Sequence, residues 1–293
     1  MRVDVALLYG MMRLLALLPL RVMHGIGAML GWLMWRVGRR GRHQARVNIG
    51  LARPHLAAAE RERLVRAAML ESGRSMVEMA WIWGRDARKA LRCVREVRGL
   101  ALFEAALAAD KGLVIAAPHL GCWELLNYWL CAHTRMAILY RPPHVQALES
   151  LLRRVRGDLA PEQVRAEGAG VRTLYKRLAA GDTVGILPDQ KPRVGDGRIA
   201  PFFGRDALTM VLLPRLVART GATVLYAFAE RLPRGRGYRV HFLPAPEGVA
   251  DRDLDRACVA LNRGVEQCVE RAFAQHQWTY RRFSGHGLEN PYV

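Results

Sequence analysis

The chain has 293 residues, 51% hydrophobic and 24% charged, enough to bury a real core and far from the composition of a disordered chain. Its formal net charge is +19 with a sequence pI near 10.8, and lysine occurs only at Lys89, Lys111, Lys176 and Lys191, so the cations are almost all arginine. A GC-rich genome accounts for arginine over lysine but not for the shortage of acids, which favours an anionic partner: nucleic acid, anionic lipid or an acidic protein.

Residues 5–38 are apolar except for Arg13, Arg21, His24 and, near the end, Arg36, and Pro19 divides them into two helical pieces, neither of which supplies the roughly 20 apolar residues of a clean span. No small-x-small cleavage site follows, so the segment reads as a retained membrane anchor and not as a signal peptide. Arg36 at its end is followed directly by Arg39, Arg40, Arg42 and Arg46, the pattern of the cytoplasmic side, where each cation near an anionic leaflet is worth about 1 kcal/mol. Residues 56–83 keep helical spacing of apolar positions, entered through Pro54.

From about residue 97 strands and helices alternate. Strands are expected at 112–118, 136–141, 182–190, 223–232 and 238–245, and helices at 124–132, 145–157, 171–181, 209–220 and 253–275. This predicts an α/β fold: a mainly parallel mixed sheet flanked by helices, with an N-terminal helical membrane anchor. The expected organisation is an anchor over 1–38, a basic membrane-proximal helical segment over 39–96, and an α/β core over 97–293 that forms one domain with 39–96. The five cysteines are widely spaced with no C-x-x-C pair, which suggests neither a disulfide framework nor a zinc site.

The most informative stretch is APHLGCWELL, residues 116–125. His119 falls just past a buried strand and Glu124 opens the next helix, at the carboxyl end of the sheet where open α/β folds bind ligands. Pro118 and Gly121 suit a tight turn, which can bring the carboxylate back onto the imidazole and make a general base near neutral pH. Cys122 in the same turn is the competing nucleophile, since a thiol at a helix N-terminus can lose its proton more readily. Arg141 closes a strand on the same rim. Arg153, Arg154 and Arg156 form a stripe that is either a solvated face or a phosphate clamp. Asp189 and Gln190 again sit at the end of an apolar strand, and APFFG (200–204) reads as an apolar loop. No P-loop, dinucleotide fingerprint, G-x-S-x-G elbow or metal-ligand spacing is present.

The order PHLGCWE, YRP with a downstream R-x-R, LPDQ, APFFG, LVARTGA and a terminal WTYRRF resembles the bacterial lipid A late acyltransferases, within the wider glycerolipid acyltransferase superfamily, from about residue 3 to 284. The resemblance implies an inner-membrane enzyme with its site on the cytoplasmic face. It implies transfer of an acyl chain from acyl carrier protein, or coenzyme A, to a hydroxyl of a lipid A precursor. His119 would be the base and Glu124 its partner, Arg156 and Asp189 would matter for activity, and Arg141 matches the YR motif; Arg154 and Gln190 complete the expected substrate contacts. No metal or cofactor is required. Two rivals remain: the same chemistry on a lysophospholipid or another glycolipid, and a non-catalytic membrane-surface protein that holds anionic lipid. Nucleic acid is not an expected partner, because no reader motif accompanies the charge.

Overall fold

A computed structural model of the chain describes residues 3–140, 161–165, 168–193 and 195–293. The N-terminal half is helical: α1 (Val3–Leu15), α2 (Leu20–Val37), α3 (Arg39–Ala52), α4 (Ala58–Trp83) and the short α5 (Ala87–Leu91). Alternation follows with β1 (Val94–Arg98), α6 (Leu100–Ala108), β2 (Leu113–Ala116), α7 (Trp123–His133), β3 (Met136–Tyr140), β4 (Glu162–Arg165), α8 (Gly168–Ala179) and β5 (Thr183–Ile186). The chain closes with β6 (Gly197–Phe202), β7 (Arg205–Met210), α9 (Leu212–Thr220), β8 (Thr223–Arg231), β9 (Tyr238–Pro244) and α10 (Leu254–Arg271).

Seven strands form one sheet in the order β1-β9-β8-β2-β5-β3-β4, parallel throughout except at β8–β9. The expected mainly parallel sheet is therefore observed. β2 and β5 are buried at every position, because helices cover both faces; hence the apolar run of β2 and, in β5, a single polar group, Thr183, whose hydroxyl is bonded to that of Thr134. Alternate residues serve opposite cores. Val114, Ala116, Val184, Tyr226 and Phe228 pack with Leu261 and Val265 of α10, whereas Leu113, Ile115, Leu225 and Ala227 pack with Leu125 and Leu126 of α7. Asp253 caps α10 by accepting from the Asp255 and Arg256 N–H groups.

Two expectations change. The helix read from residue 209 starts at Leu212, because Thr209 and Met210 belong to β7, which pairs antiparallel with β6. APFFG is the tip of that hairpin: Phe202 is fully buried in the core, and Phe203 takes a left-handed φ of +50° before Gly204. The helix read at 145–157, with Arg141, Arg153, Arg154 and Arg156, lies outside the described residues.

No single helix among the described residues is long and apolar enough to cross a bilayer; Tyr9–Leu15 and Leu20–Val37 reach that composition only as a pair, bent by 116°. α2 is also fastened to α4. A Cβ on Gly31 would come within 2.4 Å of the Met69 carbonyl, and one on Gly73 within 2.2 Å of the Gly27 carbonyl, so the two backbones touch. Trp81 Nε1 donates to the Leu18 carbonyl and Arg85 to the Ala16 carbonyl, which holds the α1–α2 break against the end of α4.

Candidate active site

The turn between β2 and α7 is built to hold one side chain still. Gly121 has φ +63°, and a Cβ there would meet the Ala229 carbonyl at 2.0 Å, so only glycine fits. The Cys122 N–H donates to that Ala229 carbonyl at 2.8 Å, and Gly121 N–H donates to the Gln275 carbonyl at 3.2 Å. Gln277 N–H donates to the His119 carbonyl at 3.1 Å. The turn is thus strapped to β8 on one side and to residues 275–277, just past α10, on the other.

His119 projects from this turn beside Asp189, which lies three residues past β5. The His119 backbone N–H donates to Asp189 Oδ2 at 2.9 Å, and ring Nδ1 lies 2.8 Å from Oδ1. A carboxylate can only accept, so Nδ1 carries the proton and Nε2 keeps a lone pair. That lone pair takes a bond from the Gln190 amide at 3.2 Å, and the same amide donates to Gln277 Oε1 at 3.0 Å. Trp123 meets the ring edge-on at 5.6 Å between centroids. His119 and Gln190 line a cavity of about 510 Å³ with apolar walls, including Leu139, Leu187 and Met210, and with Lys191, Arg193 and Arg215 around it.

Burial alone would raise the Asp189 carboxyl. The charge and two hydrogen bonds of His119, with His276 behind, outweigh it and hold the group down at about 2. His276 is fully buried 3.8 Å from Asp189, and desolvation lowers it to about 4, so it stands neutral at physiological pH. Arg282 is buried too, which lowers it to about 10; it donates to the Leu208 carbonyl, Thr209 Oγ1 and Asn262 Oδ1, tying the chain end to the β6–β7 hairpin.

Among the residues singled out in the sequence, His119, Asp189 and Gln190 are brought together. Glu124 sits in the first turn of α7, buried. Arg141, Arg154 and Arg156 lie outside the described residues. Cys122 is buried, and desolvation with the nearby Glu78 carboxylate raises its thiol well above the usual range, so it is no nucleophile. Gln275, His276 and Gln277 escaped the reading; their only signal is a run of polar side chains between a long helix and the tryptophan of WTYRRF.

A histidine whose Nδ1 is fixed by a carboxylate, with Nε2 facing a part-apolar cavity, suits base-assisted attack by a hydroxyl. The sequence model described as bacterial lipid A biosynthesis acyltransferase matches residues 3–284. The chain belongs to that family, and it is an acyltransferase. The lipid A biosynthesis palmitoleoyltransferase of Escherichia coli K12 is 27% identical over 277 residues, covering 94% of this chain and 89% of the relative. The lauroyltransferase of the same strain is 25% identical over the same shares. A phosphatidylinositol mannoside acyltransferase of Mycobacterium tuberculosis is 29% identical over 212 residues, covering 69% of this acyltransferase and 65% of the relative. The family match takes in the turn, both strand ends and the 275–277 strap.

Proposed function

We propose that this acyltransferase moves a fatty acyl chain from an acyl-carrier-protein or coenzyme A thioester to a hydroxyl of a lipid A precursor at the cytoplasmic face of the inner membrane. The observation that carries it is the fixed His119 tautomer at the mouth of a part-apolar cavity, in a chain of this family. The acceptor hydroxyl displaces the Gln190 amide from Nε2 and gives its proton to the ring as its oxygen attacks the thioester carbonyl. The imidazolium is stabilised by Asp189 directly, with Glu124 supporting the turn from the buried start of α7. The tetrahedral intermediate expels the thiolate, which leaves protonated by the same ring. The chemistry needs no covalent enzyme intermediate. Lys191, Arg193 and Arg215 around the cavity hold acceptor phosphates, Arg141, Arg154 and Arg156 are assigned to the same task by the family resemblance, and the +19 chain attracts acidic acyl carrier protein.

Membrane attachment is supported by the exposed apolar side chains of α1, α2 and the break between them, among them Leu14, Leu17, Met29 and Leu33, beside the arginines of α3. An alternative acceptor is a phosphoinositol glycolipid, favoured by the mannoside-acylating relative.

Detergent-solubilised protein with acyl-carrier-protein thioesters and underacylated lipid A, followed by mass spectrometry, tests the proposal. A new acyl ester that vanishes in His119→Ala is expected; no product across donor chain lengths refutes the lipid A assignment, and phosphatidylinositol mannosides and lysophospholipids are then the next acceptors.

A further inference from the structure

A second cavity, of about 840 Å³, lies between the start of α2, the middle of α4, the β8–β9 turn and the end of α10. Five arginines line it: Arg21, Arg74, Arg231, Arg234 and Arg271, with two carboxylates, Glu71 and Glu230. Both carboxylates are already engaged. Glu71 accepts from Arg74 and from Arg231 Nη1, and Glu230 accepts from Arg239 at 3.1 Å and pairs with His241 at 2.8 Å. Arg21, Arg234 and Arg271 have no carboxylate within 4.0 Å among the described residues, so three uncompensated cations face one concave space.

The walls are fixed. A Cβ on Gly235 would lie 2.5 Å from the Arg21 backbone, so the β8–β9 turn presses on the first turn of α2 and sets Arg21 and Arg234 side by side. The floor is Arg231, buried and held by both oxygens of Glu78.

The mouth borders an apolar surface. At about 100° per residue, Arg21, Gly25 and Ala28 share the cavity side of α2, with the exposed Trp32 one turn further along the same row, while Val22, Met29 and Leu33 form an exposed stripe roughly a quarter-turn away. Cations set in a concavity beside an exposed apolar stripe match the two halves of a phospholipid.

We propose that this cavity binds the phosphate of an anionic phospholipid headgroup whose tails lie along the α2 stripe. The inference rests on the membrane-surface reading above. It is separate from the acceptor site, because His119 does not line this cavity and residues 275–277 stand between the two. The floor also touches the turn that carries His119: Arg231 Nη2 approaches the Gly121 carbonyl at 3.4 Å, and Gln275 bonds both Arg231 and Gly121.

The test is flotation of the full chain on phosphatidylcholine vesicles with and without phosphatidylglycerol, for wild type, Arg234→Glu/Arg271→Glu and Arg252→Glu. Arg252 is exposed, outside the cavity, and serves as the charge control. The double variant is expected to lose about 25-fold or more of the preference for phosphatidylglycerol, at roughly fivefold per cation, while it still floats on neutral vesicles. Arg252→Glu keeps the preference. Glycerol phosphate competes with phosphatidylglycerol for the wild type but leaves the double variant unaffected; competition by inorganic phosphate to the same degree identifies the phosphate alone as the recognised group. A double variant that retains the preference overturns the proposal, and so does an equal loss in Arg252→Glu. A wild type that floats on neither vesicle sinks the membrane reading itself. Acyl transfer in phospholipid-free detergent reads the reaction independently of all of these.

Discussion

Replacing Asp189 by Asn should silence the enzyme while leaving it folded and able to bind substrate. Asp189 accepts two bonds from one residue, from the His119 backbone N–H at 2.9 Å and from ring Nδ1 at 2.8 Å. The backbone N–H cannot stop donating. An asparagine has a single acceptor oxygen, and the backbone claims it, so the NH₂ group turns to Nδ1. Nδ1 must then be the unprotonated nitrogen, and the proton moves to Nε2, the atom that should take the hydroxyl proton. Losing a general base costs about 10²–10⁴ in rate, and the corresponding Asp→Asn change in a serine protease triad, which also selects the wrong tautomer, costs about 10⁴ in kcat. The upper end is expected here, in kcat with KM within about threefold, because the Asp189 side chain is only 2% exposed and cannot touch a substrate. Mass-spectrometric initial rates against donor and acceptor concentration read the split, with thermal unfolding as the folding control. Activity within tenfold of wild type, or a loss confined to KM, would refute the tautomer argument.

Three further outcomes are expected. Gly121→Ala, with its Cβ 2.0 Å from the Ala229 carbonyl and a left-handed φ, should lose about 3 kcal/mol or more and most activity; an unchanged melting temperature would mean the turn is not strapped to β8. Glu78→Gln breaks a buried cluster in which one carboxylate serves Arg231, His24 and Tyr238. It should cost about 3–5 kcal/mol in urea unfolding, and a loss below about 1 kcal/mol would show that Glu71 alone suffices to balance Arg231. His276 is held neutral, so between pH 6.5 and about 4 the unfolded chain takes up a proton that the folded chain refuses, and stability falls as pH falls through that window, by about 3 kcal/mol. Urea midpoints at pH 7, 5.5 and 4.5 should drop less steeply in His276→Gln; an identical slope would contradict the assignment.

How much of this could be read beforehand differs by element, for physical reasons. β2 and β5 were legible because strands covered on both faces must be apolar throughout, and α10 because a long amphipathic helix repeats its signal many times. β1 was hidden: VREVR at the sheet edge buries little, so its charges mask the alternation. β6 and β7 were hidden by the helix-like run that follows them, since TMVLLP looks helical until the hairpin partner is known.

The site shows the same limit more sharply. A turn can be inferred from Pro118 and Gly121 because its causes are local, and so His119 at a strand end was recognisable. Its ring partner was sought within that turn, at Glu124, because a single sequence exposes only local geometry. The carboxylate found on the ring comes from a residue 70 positions away, delivered by the β2–β5 parallel pairing, which sets the ends of both strands side by side. The register Ala116↔Ile186 leaves three residues from each strand end to its functional side chain, His119 and Asp189 alike. That equality was present in the sequence, but only the pairing gives it meaning. The same holds for Glu78 and Arg231, 153 residues apart: no local pattern singles either out, and only tertiary contact makes them the buried link between the N-terminal helices and the turn that carries the base.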